Sequence, residues 1–187
     1  MRILVVGSGG REHALAHTLS KSPDVSAVLA APGNGGTATC GENIALADTD
    51  VPGIVALAKD RGIDLVVVGP EAPLVAGLRD ALETAGVPCF GPDAYAAQLE
   101  GSKAFAKEVM TAAGVPTAAY ETFTDAASAR AYARKLNGPM VVKADGLAAG
   151  KGVTVARDTA EAIAAIDESL VAGAFGTAGA TVVVEEA

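Results

Sequence analysis

Ile3-Leu4-Val5-Val6-Gly7-Ser8-Gly9-Gly10-Arg11-Glu12-His13 is the stretch that decides the fold. A short apolar run enters a glycine turn, and a helical pattern over residues 11–21 leaves it. A continuous apolar run of that length reads as a strand buried on both faces. The same grammar recurs outward from it. Val25 to Ala30 reads as a strand, 52–61 as a helix with Pro52 early in it, and Leu65 to Val68 as a further strand. Residues 74–85 read as a helix stopping at Gly86, and Cys89-Phe90 as a short strand before Gly91-Pro92. Strands alternating with helices imply right-handed crossovers and a parallel sheet, so the fold class is α/β.

After about residue 100 the period changes. Ser102 is placed to cap a helix over 103–113, closed by Gly114, and Asp125 to cap another that reaches Leu136. Between them Thr117 to Phe123 is extended. Met140 to Lys143 and Val153 to Ala156 read as strands joined by a glycine-rich loop, which is hairpin grammar. A helix over 159–170 and a strand from Thr181 to Val184 follow. A domain change is therefore expected near residue 100.

The 187 residues are half hydrophobic and carry no Trp, so the core must come from Ala, Val, Leu and Ile. Twenty-two acidic residues face 14 basic ones, a net charge of −8, which argues against a nucleic-acid partner. It does not argue against a nucleotide, because phosphate sites use local dipoles and a few lysines. Cys40 and Cys89 have no metal-like spacing and read as reduced thiols. The opening apolar run is too short for a signal peptide, and no stretch approaches a membrane span, so a cytoplasmic protein without a membrane partner is expected.

The first glycine loop invites a dinucleotide reading, which fails twice. Counting from Gly7 and Gly9, the third glycine of that fingerprint falls at Glu12, and the second strand ends Leu29-Ala30-Ala31-Pro32 with no acidic residue. A plain tight turn and a phosphate-bearing substrate remain. His13 reads as a packed histidine rather than a catalytic one. Pro32-Gly33-Asn34-Gly35-Gly36-Thr37 and Gly69-Pro70-Glu71-Ala72-Pro73-Leu74 also follow strands. Ligands of open parallel sheets bind at the carboxyl ends of strands, so the three loops suggest one pocket. Ordinary turn chemistry explains each loop singly.

In the second half, Lys143 leads into Asp145-Gly146-Leu147-Ala148-Ala149-Gly150-Lys151-Gly152 and then Val153. Small residues let such a loop fold over a polyphosphate, and lysines supply mobile point charges. The spacing is not that of a Walker A loop. A flexible hairpin is the plainer reading. Taken alone, Lys103 is a solvated helix residue and Glu185-Glu186 a charged strand end.

The segments at 7–16, 32–37, 69–74, 102–107 and 143–153 together resemble the glycinamide ribonucleotide synthetase family of the ATP-grasp superfamily, in order and along the whole chain. The resemblance implies a Rossmann-like, pre-ATP-grasp substrate-binding domain over 1–100, then the first part of an α+β ATP-grasp domain over 101–187. It implies ATP-dependent ligation of glycine to 5-phosphoribosylamine in de novo purine synthesis, through a glycyl phosphate. Lys103 and Lys143 would contact phosphates, with Asp145, Gly146, Gly150, Lys151, Gly152 and Val153 covering them. The strand end at Glu185 and Glu186 would receive adenine. Gly9, Gly10, Arg11, Glu12, Gly33, Asn34, Pro70 and Glu71 would bind substrate. Mg2+ or Mn2+ is implied, with ligands expected beyond Ala187, and no catalytic residue is assigned within the chain. A fragment inactive alone is expected, and a monomer. A non-catalytic binding remnant and another ATP-grasp carboxylate–amine ligase stay as alternatives.

Overall fold

The computed structural model describes residues 1–148 and 150–187. Ala149, inside the second glycine loop, lies outside them. The chain divides into two compact units, Met1–Ala97 and Gln98–Ala187.

The first unit is a parallel sheet. Strands β1 (Arg2–Gly7), β2 (Ala27–Pro32), β3 (Glu42–Asn43), β4 (Leu65–Val68) and β5 (Cys89–Phe90) line up in the order β3-β2-β1-β4-β5. β1 lies between β2 and β4, in parallel register with both. Its pleat sends Leu4 and Val6 to one face and Ile3 and Val5 to the other, and all four are buried. The first pair packs with Leu29, Val66 and Val68 against Ile54 and Ala58 of α2 (Val51–Asp60). Leu74 of α3 (Glu71–Val75) and Leu78 and Leu82 of α4 (Leu78–Thr84) complete that layer. The second pair meets Ala16, Leu15 and Leu19 of α1 (Gly10–Ser20).

Two sequence expectations need correcting here, and one element was not expected. The helix expected over 74–85 is two helices, because Gly77 adopts a left-handed φ of +85° and the chain turns between Val75 and Leu78. The second strand runs Ala27–Pro32 rather than 25–30, since its register is set by β1, where Arg2 pairs Ala27 and Gly7 pairs Pro32. A helix α5 (Ala94–Gly101) was not foreseen.

The second unit is an antiparallel sheet with helices on one face. Strands β6 (Tyr120–Phe123), β7 (Met140–Ala144), β8 (Val153–Ala156) and β9 (Val182–Glu186) take the order β6-β9-β7-β8. Met140, Val142, Val182 and Val184 form the core with Ala129 and Ala133 of α7 (Ala126–Leu136) and Ala162 and Ile166 of α8 (Thr159–Leu170). Asp125 caps α7 by accepting from Ser128, and Ser102 caps α6 (Lys103–Ala112) by accepting from Phe105. Side chains alternate along a strand, so residues in odd step with Met140, such as Val141 and Lys143, leave the core face.

Candidate functional site

The parallel sheet sets the site of the first unit. Because β1, β2 and β4 run the same way, the loops after them emerge at one edge. Backbone bonds draw them together there: Gly33 N–H donates to Gly7 O at 3.1 Å, and Gly69 N–H to Val6 O at 3.0 Å.

Asn34 fastens the first two loops. Its amide nitrogen donates to Ser8 O (2.9 Å) and Gly9 O (3.0 Å), and its oxygen accepts from Gly36 N–H (2.7 Å) and Thr37 N–H (3.0 Å). Glu12, 3% exposed, fastens the first loop internally. One of its oxygens accepts from Gly9 N–H at 2.6 Å, the other from Arg11 Nε at 3.0 Å. A methyl group at Gly69 would overlap the Glu12 carboxylate, and one at Gly7 would come within 2.8 Å of Pro70. Glycine at positions 7 and 69 is therefore a consequence of close packing around Glu12.

The candidate substrate residues thus fall into two sorts. Glu12, Asn34, Pro70 and Gly33 are engaged within the loops; Gly33 has φ +72° and abuts Thr37 and Asn43. Gly9 is exposed but its N–H and carbonyl are both spent within the loops, whereas Gly10, Arg11 and Glu71 face outward. A Cβ on Gly10 would meet nothing within 4 Å, and the Arg11 side chain is 62% exposed. Arg11 stands 3.9 Å from Glu71 across the rim. Free N–H groups at the start of α1 beside an exposed guanidinium make a place for an anion. His13 packs against the second loop, where a side chain on Gly36 would overlap its ring.

In the second unit the hairpin β7–β8 carries the glycine loop. Lys143 pairs Val153 in register, and Ala144 N–H donates to Gly152 O at 2.7 Å, closing the loop's base. Asp145 ties this base to α6. Its carboxylate accepts from Ser102 Oγ (3.1 Å) and Ala104 N–H (2.7 Å), and its carbonyl from Lys103 N–H (3.1 Å). Lys103 Nζ donates to the carbonyls of Asp145 (3.3 Å) and Gly146 (3.0 Å). Asp145 is thus a brace for Lys103. Burial lowers the Lys103 pKa, Asp145 raises it, and Lys143 lowers it again. Gly146 and Gly152 have no room for side chains, being pressed by Ala178 and by Ala144 and Ala148. Lys151 and Val153 are exposed beside the loop.

Glu185, near the end of β9, is not solvated as a plain charged strand end would be. It is 6% exposed on the sheet face away from the core, with one oxygen ion-paired to Lys143 and the other to Lys107. Burial pushes its carboxyl up, and the two ammonium groups more than reverse this, leaving it below its usual value. Glu186 is exposed, and its N–H donates to Ala119 O. Lys107 was missed in the sequence. A lysine on the face of α6 that also carries Lys103 was the available signal, but only the fold brings Glu185 to it.

Among the described residues no three His, Cys, Asp or Glu side chains gather to hold a metal, and no helix is long and apolar enough to cross a membrane.

The family model described as phosphoribosylglycinamide synthetase, N domain, matches residues 1–100, and that described as phosphoribosylglycinamide synthetase, ATP-grasp (A) domain, matches 101–187. A phosphoribosylamine–glycine ligase from Allochromatium vinosum is 58% identical over 100% of this chain, and one from Vibrio cholerae 54% identical over 100%. The chain spans 44% of the length of each. The crystal structure of a phosphoribosylamine–glycine ligase from Thermotoga maritima superposes with a TM-score of 0.80 at 30% identity, covering 100% of this chain and 44% of that one. A biotin carboxylase domain from Hydrogenobacter thermophilus, solved with MgADP, shares the fold at 21% identity, with a TM-score of 0.77 over 100% of this chain and 44% of its own.

Proposed function

The chain belongs to the phosphoribosylglycinamide synthetase family, and from that premise we propose that it supplies the substrate rim and the first half of the nucleotide cleft of an ADP-forming ligase. The reaction joins glycine to 5-phosphoribosylamine, giving glycinamide ribonucleotide, ADP and phosphate. ATP phosphorylates the glycine carboxylate, and the amine displaces phosphate from the acyl phosphate.

The observation that carries the reading is that Lys103 Nζ reaches the carbonyls of Asp145 and Gly146, just past Lys143 at the base of a small-residue hairpin loop. Lys143 is ion-paired with Glu185 and Lys103 is bonded to backbone carbonyls, so both ammonium groups keep charge to offer an incoming anion. A nucleoside polyphosphate is such an anion, and the loop's backbone N–H groups add donors. In this reading Lys103 and Lys143 hold phosphate oxygens and the 145–152 loop excludes water from them. The rim of Gly9, Gly10, Arg11 and Glu71 holds the phosphoribosyl group and its amine. Phosphoryl transfer is largely a matter of positioning and charge neutralisation. A divalent cation would supply much of that neutralisation in the complete enzyme, and no step here is assigned to it.

The test is ADP release by the complete polypeptide carrying these residues. Release should require both glycine and phosphoribosylamine. Lys143→Ala should raise the KM for ATP by roughly tenfold or more, the worth of one charge-assisted contact. ADP release indifferent to phosphoribosylamine, or a KM for ATP untouched by Lys143→Ala, would overturn the reading.

A further inference from the structure

Lys107 is a buried cation to which the nucleotide site as read above gives no task. It lies on α6 and is 8% exposed. Its Nζ donates to Thr117 Oγ1 at 2.7 Å and to Ala118 O at 3.4 Å, and it is ion-paired with Glu185 Oε2. It also lies 5.1 Å from the centroid of the Tyr120 ring. Tyr120 stands directly opposite Glu185 in the β6–β9 register, so ring, carboxylate and ammonium lie together on the face of the sheet away from the core. The other oxygen of Glu185 meets Lys143, which reaches it diagonally from β7. Two lysines therefore share one buried carboxylate.

The Lys107 ammonium donates to Thr117 and Ala118 and is ion-paired with Glu185, and the residue is 8% exposed. It is engaged inside the fold rather than offered to a ligand. Lys143 is different: its contact is Glu185, and its side chain is 24% exposed. The three charges sum to one positive charge. Without Lys107 the remaining pair would sum to zero, and an arriving phosphate would meet a poorly solvated carboxylate held by Lys143 alone.

We propose that Lys107 is a positioning residue: it neutralises Glu185 so that Lys143 can turn its charge to the phosphate oxygens of a nucleoside triphosphate. The inference rests on the reading of Lys143 as a phosphate contact. Lys107 acts through Glu185 and touches no nucleotide.

Steady-state kinetics of the complete polypeptide decide it, with melting temperature measured on every variant. Lys107→Met should raise the KM for ATP about tenfold or more while kcat stays within about threefold. Lys107→Arg should recover most of the affinity. In a Glu185→Gln background, where no carboxylate needs a partner, adding Lys107→Met should change the KM by less than about threefold. If Lys107→Met proves too unstable to assay, Lys107→Gln gives the same comparison. Effects of Lys107→Met and Glu185→Gln that simply multiply would overturn the proposal. So would a fall in melting temperature and kcat with the KM for ATP unchanged, the mark of a merely structural lysine. Lys143→Ala keeps the two readings apart. If it raises the KM and Lys107→Met does not, Lys107 alone has been misjudged; if it leaves the KM unchanged, the phosphate site itself has been.

Discussion

The Glu12 carboxylate accepts the backbone N–H of Gly9 at 2.6 Å, turning back over the turn that precedes it. It stands where a dinucleotide fold would have its third glycine, and it fills the space between Gly7, Gly9 and Gly69. The start of α1 thus already holds one negative charge of its own. That leaves the exposed N–H groups nearer Gly10 as the place for an incoming anion. Removing Glu12 should cost both the cap and the packing. Glu12→Ala is expected to destabilise the first unit by about 1–2 kcal/mol. Urea denaturation followed by far-UV circular dichroism measures this, and a change below a few tenths would show that the bond contributes nothing.

Asn34 should behave as a rivet between loops rather than as a ligand. The hydrogen bonds of its side chain run to backbone groups of residues 8, 9, 36 and 37. Asn34→Ala is expected to cost about 1–3 kcal/mol, since exposed parts of this network regain water. Amide exchange at Gly36 and Thr37 should quicken in step. Unchanged exchange with weakened substrate binding would mean the amide reaches the substrate instead.

Much of this architecture is legible in the sequence, and the exceptions have physical causes. β1 and β4 are continuous apolar runs because both their faces are covered, and Ser102 and Asp125 announce α6 and α7 through their capping chemistry. The break at Gly77 is invisible to periodicity, since Leu74, Leu78 and Leu82 keep helical spacing across it. α5 escapes for the opposite reason: its alanines and short length give no apolar stripe. The glycine loops and Lys143 are readable as phosphate chemistry. Glu185's partners are not, because which strands flank β9 is fixed only by the order β6-β9-β7-β8. A one-dimensional pattern shows that Glu185 ends an apolar run, but not that two lysines cover it.

Gly10 offers a clean test of the rim. Nothing lies within 4 Å of where its Cβ would be, and it opens α1, so an acidic side chain there suits the helix dipole and should fold. Gly10→Asp is expected to leave stability within about 0.5 kcal/mol. In the complete enzyme it should raise the KM for phosphoribosylamine about tenfold or more, through repulsion of the phosphate dianion, with the KM for ATP little changed. Steady-state kinetics with unaltered phosphoribosylamine dependence would remove the phosphate from this rim.

The brace between Asp145 and Lys103 makes a prediction whose sign can be worked out. Burial lowers the Lys103 pKa below its ordinary 10.5, Asp145 pulls it back up, and Lys143 pushes it down. A cation with a lowered folded pKa is a cost to stability while both folded and unfolded forms are protonated. That cost is relieved as pH rises through the folded value toward 10.5, because the unfolded chain then binds the extra proton. Stability should therefore gain a small rise on the alkaline side that Lys103→Met lacks. Nucleotide affinity should do the reverse, falling over the same range as Lys103 loses the charge that holds phosphate. Asp145→Asn keeps a side-chain oxygen to accept from Ala104 N–H but removes the charge that supports Lys103. Both transitions should then move to lower pH, because only the opposing influences of burial and Lys143 remain beside Glu100. Asp145→Ala should do the same and also loosen the start of α6, costing about 1–2 kcal/mol for the lost cap. Titration of the melting temperature and of the KM for ATP between neutral and alkaline pH gives the answer. An ATP profile that does not shift in Asp145→Asn would mean that Lys103 holds no phosphate.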